Sequence, residues 1–249
     1  MLEVADVPHT LALSQAIGWD QTAEDWLLAI EMNPDGCFAM ENEGAVVATT
    51  TSIRYGTDLA WVGMVLTHPE FRGRGFARTL MGHVLDHLSD VETIKLDATE
   101  MGAPLYRQFG FVDECAIERW CGHRRGTPAD AQSFTYPAVD KEAFGADRAA
   151  LLERLAKIEA ASLVDAFAMG RGNRFGPCVS RSMDAAVVLA KWYLARHPNE
   201  STIWDLFPEN NLAKAVGFEF SRRLTRMTRG RVRKADNSLV YAGAGFEFG

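Results

Sequence analysis

The chain has 249 residues, 47% of them apolar, with only 21 glycines and 9 prolines, a composition that suits one large or two small globular domains and excludes a fibrous or disordered chain. No apolar run reaches the length of a membrane-spanning helix, and the N-terminal residues lack the basic and apolar regions of an export signal, so a cytoplasmic protein is expected. Residues 1–125 hold 9 Lys and Arg against 19 Asp and Glu, or −10, and residues 126–249 hold 17 against 14, or +3, which together give the net −7. The acidic first half argues against nucleic acid as a partner there.

The first half alternates helices and strands. Thr22 reads as a helix N-cap, with Asp25 three residues on and Trp26, Leu27 and Ile30 following. Residues 37–40 and 45–53 read as strands parted by a turn at Asn42 and Gly44. Residues 60–67 form a nearly continuous apolar run, the pattern of a buried central strand. Phe76, Leu80, Met81, Val84, Leu85 and Leu88 recur at helical spacing and predict a helix over 75–87. A strand over 91–96, a short helix over 102–108 stopped by Gly110, and paired strands over 111–120 complete this half.

Residues 126–137 read as a linker, and they divide the chain into a first domain, 1–125, and a second, 138–249. The second half predicts helices over 149–158 and 185–194, a strand over 202–206 and a last strand over 239–248. A repeat links the halves. Gly110-Phe111 precedes Arg119 by nine residues, and Gly217-Phe218 precedes Arg226 by the same nine, each pair following a short helix. A duplicated domain is expected.

Four cysteines, Cys37, Cys115, Cys121 and Cys178, show no CxxC spacing, so free thiols are expected rather than zinc or disulfides. His83 and His87 share a helix face, but the glutamate of HExxH is missing, and no metal is expected. The basic residues Arg222, Arg223 and Arg229 to Lys234 read as a solvated strand edge, with an anionic partner as the alternative.

The chemistry concentrates at Val65, Leu66, Thr67 and the loop that follows. A buried strand runs through His68-Pro69 into Arg72-Gly73-Arg74-Gly75-Phe76-Ala77-Arg78, which opens the helix. Glycines accept positive φ and let a ligand approach the backbone, and helix N-terminal N–H groups attract phosphate. The loop matches neither GxxxxGK[ST] nor GxGxxG. It does match Arg-x-x-Gly-x-Ala at Arg72, Gly75 and Ala77. Downstream stands Leu105-Tyr106-Arg107-Gln108-Phe109-Gly110-Phe111.

In these two motifs, in this order, the chain resembles the GNAT acetyltransferase superfamily. The resemblance implies an α/β, mixed central sheet GNAT acyltransferase fold in two tandem modules. The run Leu96-Asp97-Ala98-Thr99, with Gly18-Trp19 and the ending over 243–249, is similar to a bacterial subgroup of tandem proteins, which implies a degenerate second GNAT module at 138–249.

The resemblance further implies acetyl-CoA as co-substrate. Residues 65–67 would offer backbone to the pantetheine arm and residues 72–78 would hold the pyrophosphate. Tyr106 would be the general acid for the departing thiolate, and Thr99 stands where the family often has a pantetheine-contacting asparagine. The acceptor amine, of a small molecule or a peptide, would attack the thioester directly. No nucleic acid or membrane partner is expected, and a homodimer is left open.

Glu100, Asp97, His68 and Glu31 are candidate general bases, with a water relay as an equal alternative. The second half lacks the phosphate loop, and Ala213 stands opposite Tyr106 in the repeat. A non-catalytic acyl-CoA-binding protein and a transferase using a longer acyl-CoA are the alternative functions.

Overall fold

The computed structural model describes residues 1–123, 126, 138–210 and 212–249, so all but Gly126 of the expected linker lies outside the described residues. The chain forms two compact units. One comprises Met1–Leu96 with Arg229–Arg231 and Phe248. The other comprises Asp97–Thr228 with Val232–Glu247 and Gly249. The boundary between these units falls between Leu96 and Asp97. Eleven strands are present among the described residues, and the fold is mixed α/β. None of the described helices is long and apolar enough to cross a membrane.

The first unit holds α1 (Val7–Ala16), α2 (Ala23–Met32), β1 (Phe38–Asn42), β2 (Ala45–Tyr55), β3 (Leu59–Thr67), α3 (Phe76–His87) and the start of β4 (Thr93–Ala98). The capping box at Thr22 is real: Asp25 N donates to Thr22 Oγ1 at 3.2 Å, and Thr22 N donates to Asp25 Oδ2 at 2.8 Å. The order is β1-β2-β3-β4, with β1, β2 and β3 antiparallel and β3–β4 parallel. β2 and β3 are buried along nearly their whole length, as their continuous apolar and Thr/Ser runs require. Two later segments complete this unit. Arg231 N donates to Glu92 O at 2.9 Å, and Tyr55 Oη donates to Phe248 O at 2.7 Å.

The second unit starts with the end of β4 and continues through α4 (Ala103–Gln108), β5 (Val112–Gly122), α5 (Val139–Phe144), α6 (Ala149–Ala156), β6 (Glu159–Leu163), β7 (Ala166–Arg171) and β8 (Arg174–Ser180). It then runs through α7 (Met183–Arg196), β9 (Thr202–Leu206), α8 (Leu212–Ala215), β10 (Glu219–Gly230) and β11 (Val240–Ala242). Its strands follow the order β10-β5-β9-β8-β7-β6, with β11 on β8. Phe175, Tyr193, Trp204, Phe218 and Ala213 are buried together in its core.

Three expectations are corrected here. Residues 111–120 are not paired strands. Residues 112–120 lie in the single strand β5, whose neighbours β10 and β9 come from the far half of the sequence. The last strand is only three residues long, because Gly243 and Gly245 break the run that follows. The basic stretch is solvated at Arg223, Arg231 and Lys234, but its strand is not a free edge, since β10 pairs with β5; the exposed Arg223 and Arg231 lie against Glu118 and Glu92, while Arg233 donates to Gly145 O at 3.0 Å.

Candidate active site

In the first unit the ladder between β3 and β4 covers only Leu59–Thr93, Ala60–Ile94 and Trp61–Lys95. Past Trp61, β3 keeps its pairing with β2 through Leu66 and Thr67. A bulge intervenes between Thr49 and Thr51, opposite which Met64 takes φ +47. A methionine rarely adopts this left-handed conformation, at a cost of roughly 1–2 kcal/mol. Thr49 Oγ1 holds it by donating to Met64 O at 2.8 Å. The outcome is that Val65, Leu66 and Thr67 carry a backbone edge that the β3–β4 ladder does not use. At its end, Thr67 Oγ1 and His68 Nδ1 are buried with no hydrogen-bond partner among the described residues.

The loop follows. Gly73 has φ +77 and Gly75 has φ +83, and Gly75 is the N-cap of α3. Both conformations suit glycine, and a Cβ built at either position would meet nothing within 4 Å. The loop backbone is thus open on the side where a side chain would stand, at the positive end of a twelve-residue helix. Arg72, Arg74 and Arg78 are exposed, with Phe76 and Ala77 half-buried between them. Arg72 Nε donates to Thr67 O at 3.4 Å, and Arg74 donates to Glu70 O at 3.3 Å while lying 4.7 Å from the Phe71 ring centre. Orphaned polar atoms, open glycine backbone and three guanidiniums form a donor set suited to a diphosphate and an amide-bearing arm.

Tyr106 belongs to the second unit. It sits on α4, is 8% exposed, and its ring meets Phe111 edge-on at 6.2 Å between centres. Burial pushes its phenol well above the ordinary tyrosine range, so the hydroxyl keeps its proton throughout the neutral and mildly alkaline range. Thr99 is half-buried, and its Oγ1 accepts from Gly102 N at 3.1 Å, which ties off the start of α4. Its hydroxyl hydrogen remains a donor.

Of the candidate bases, Asp97 is committed elsewhere. Arg226 clamps it bidentately, Nε to Oδ1 and Nη2 to Oδ2 both at 2.9 Å, with both side chains buried. Desolvation raises the Asp97 pKa and the Arg226 charge opposes the rise. Glu100 and Glu31 are exposed.

A matching pair joins Arg119 to Asp205 at 2.6 Å through both nitrogens. In the repeat, Arg119 corresponds to Arg226. Arg226 of the second half binds Asp97 of the first, and Arg119 of the first half binds Asp205 of the second. Sequence spacing revealed the arginines, but nothing local revealed the exchange.

The second repeat treats its own strands differently. β8 pairs with β9 only at Arg174–Ile203 and Phe175–Trp204. Beyond that, β11 pairs with Val179 and Cys178 of β8. Gly243 N donates to Asp205 O at 2.7 Å, and Trp204 Nε1 donates to Tyr241 O at 2.7 Å. Residues 240–243 thus bond both strands where their mutual ladder stops. Ala213, opposite Tyr106 in the repeat, is fully buried. Among the described residues no group of three or more His, Cys, Asp and Glu is placed to hold a metal ion.

These features have relatives. Residues 8–111 match the acetyltransferase (GNAT) family. The chain is similar to the uncharacterised N-acetyltransferase YitH of Bacillus subtilis, 24% identical over 204 residues, covering 72% of each chain. It is also similar to the holothin acyltransferase of a Pseudoalteromonas species, 24% identical over 257 residues, covering 93% of this chain and 87% of that one. A crystal structure of a putative acetyltransferase from Pyrococcus horikoshii superposes with a TM-score of 0.88 at 21% identity, covering 100% of this chain and 94% of that one. The fold is the one this solved acetyltransferase has. More particularly, residues 8–111 match the GNAT acetyltransferase family, whose chemistry is acyl transfer from an acyl-CoA to an acceptor.

Proposed function

We propose that this chain transfers an acetyl group from acetyl-CoA to a primary amine of a small molecule or peptide, in the cytoplasm, by direct attack. The observation that carries the reading is the loop at Gly73 and Gly75, open at the N-terminus of α3 and continuous with the unladdered end of β3. In this reading the N–H groups and arginines of residues 72–78 hold the pyrophosphate. Val65, Leu66 and Thr67 bond the pantetheine amides, and Thr99 donates its remaining hydroxyl hydrogen to the same arm.

The neutral amine forms a bond to the thioester carbonyl carbon, and the C–S bond breaks as the carbonyl re-forms. Tyr106 supplies a proton to the leaving sulfur, and the amine gives up its own proton to His68 or to water. Residues 1–125 are read as the catalytic module and 138–249 as a degenerate one. The support for degeneracy is that the position of Tyr106 is Ala213 and that residues 240–243 fill the end of the β8–β9 ladder.

The test is thiol release from acetyl-CoA and longer acyl-CoAs in the presence of a panel of amines. Release that needs both chain and amine, fastest with acetyl-CoA, is expected. Faster release from a longer donor would change the acyl group. Coenzyme binding without release from any donor would make the chain a binding protein instead.

A further inference from the structure

Gly102 stands four residues before Tyr106, at the N-cap of α4, with φ −81 and ψ −32. That is ordinary right-handed helical backbone, which any residue adopts. Conformational freedom therefore gives no reason for glycine at this position. Space does. A Cβ built on Gly102 would lie 2.9 Å from Cε2 of Tyr106, 3.3 Å from Cζ and 3.3 Å from the phenol oxygen. The hydroxyl-bearing edge of the ring lies directly against the glycine.

Both sides of this contact are anchored. Gly102 N donates to Thr99 O at 3.0 Å and to Thr99 Oγ1 at 3.1 Å, and Ala103 N also donates to Thr99 O at 3.0 Å. Tyr106 N donates to Gly102 O at 3.3 Å. Its own carbonyl accepts from Phe109 N at 2.9 Å and Phe111 N at 3.2 Å. The ring is 8% exposed and has Phe111 at its side.

We propose that Gly102 is a positioning residue for Tyr106: the bare Cα sets where the phenol oxygen stands, and Thr99 fixes that Cα. The inference rests on the acid role read for Tyr106. A methyl group at residue 102 displaces the oxygen by several tenths of an ångström. Proton transfer to a departing sulfur tolerates such a shift poorly, since misplacement by about 1 Å costs on the order of 10²-fold.

Gly102→Ala, Tyr106→Phe and the double variant test this with acetyl-CoA and an accepted amine. Gly102→Ala should lower kcat by roughly 10-fold with the acetyl-CoA Kd within about 3-fold. In the Tyr106→Phe background the same change should cost nothing further. Parent kcat in Gly102→Ala overturns the proposal, and so does an equal loss in both backgrounds. Parent kcat in Tyr106→Phe instead overturns the acid reading, and the positioning role with it.

Thermal melts give a second reading that needs no turnover and still decides the matter if Gly102→Ala folds poorly. With the ring removed by Tyr106→Ala, Gly102→Ala should lower Tm by clearly less than in the parent, because the clash is gone and only the modest N-cap preference for glycine over alanine remains. An identical Tm change in both backgrounds overturns the contact.

Discussion

At the scale of single residues, Tyr106 carries the sharpest expectation. Tyr106→Phe keeps the ring, its burial and its contact with Phe111 and removes only the phenolic proton. If that proton goes to the leaving thiolate, turnover should fall by roughly 10²–10⁴-fold, the range for loss of a general acid. Acetyl-CoA affinity, measured by calorimetry, should stay within a few-fold. The thiolate is a fair leaving group by itself, with a thiol pKa of about 8.5, which draws the loss toward the low end. The pH profile sharpens the point. Burial raises the Tyr106 pKa, so the protonated, acid-competent form persists as pH rises past the ordinary tyrosine value and is lost only beyond it. A kcat profile of the parent should therefore show no alkaline limb belonging to Tyr106 at the pH of about 10 where an exposed tyrosine ionises. Parent turnover in Tyr106→Phe would make this side chain a packing residue.

At the scale of elements, the loop before α3 yields the cleanest variant. Gly75→Glu forces a side chain onto a φ of +83 and sets a carboxylate in the open space over the helix N-terminus. Acetyl-CoA binding should disappear by calorimetry while the circular dichroism spectrum is kept, because that Cβ meets nothing of the protein. Binding at parent strength would remove the phosphate role from residues 72–78. This element was legible in the sequence, since glycine spacing, a buried strand before it and a 3.6-residue apolar period after it are all local signals. β2, β3, α3, α4 and β9 were legible for the same reason. β6 and β7 were not, because Ala160, Ala161, Ala166, Ala168 and Gly170 give no alternation of large apolar and polar residues. β10 hid behind its arginines, whose charges are met by partners far away in sequence. The bulge at Met64 had no signal at all, since methionine does not favour positive φ and only the neighbouring strand imposes it. The role of Gly102 depends on the position of a ring one helical turn later, which spacing allows and does not dictate.

At the scale of the whole molecule, strand neighbours and ion pairs are exchanged between the two halves of the sequence. β5 comes from the first repeat but lies between β10 and β9 of the second, and Arg119 and Arg226 reach across the repeats to Asp205 and Asp97. Only one acyl-CoA should bind per chain, because residues 240–243 already satisfy the ends of β8 and β9. A calorimetric stoichiometry near two would contradict that. The same exchange makes a prediction about residues 1–125 expressed alone. Such a fragment keeps the phosphate loop and Tyr106, so on motif content it should be an active enzyme. It loses both neighbours of β5, which exposes two rows of unpaired backbone groups on an eleven-residue strand, a template for aggregation. It also leaves Asp97 and Arg119 without their partners. Breaking a buried pair by removing one side costs about 3–5 kcal/mol, and two such losses together rival the roughly 5–15 kcal/mol by which a domain is stable. The fragment should therefore be poorly soluble, should lack a cooperative melt, and should release no thiol from acetyl-CoA. A monomeric fragment that melts cooperatively and turns over at the parent rate would show that the strand exchange and the second half are dispensable to the fold of the first.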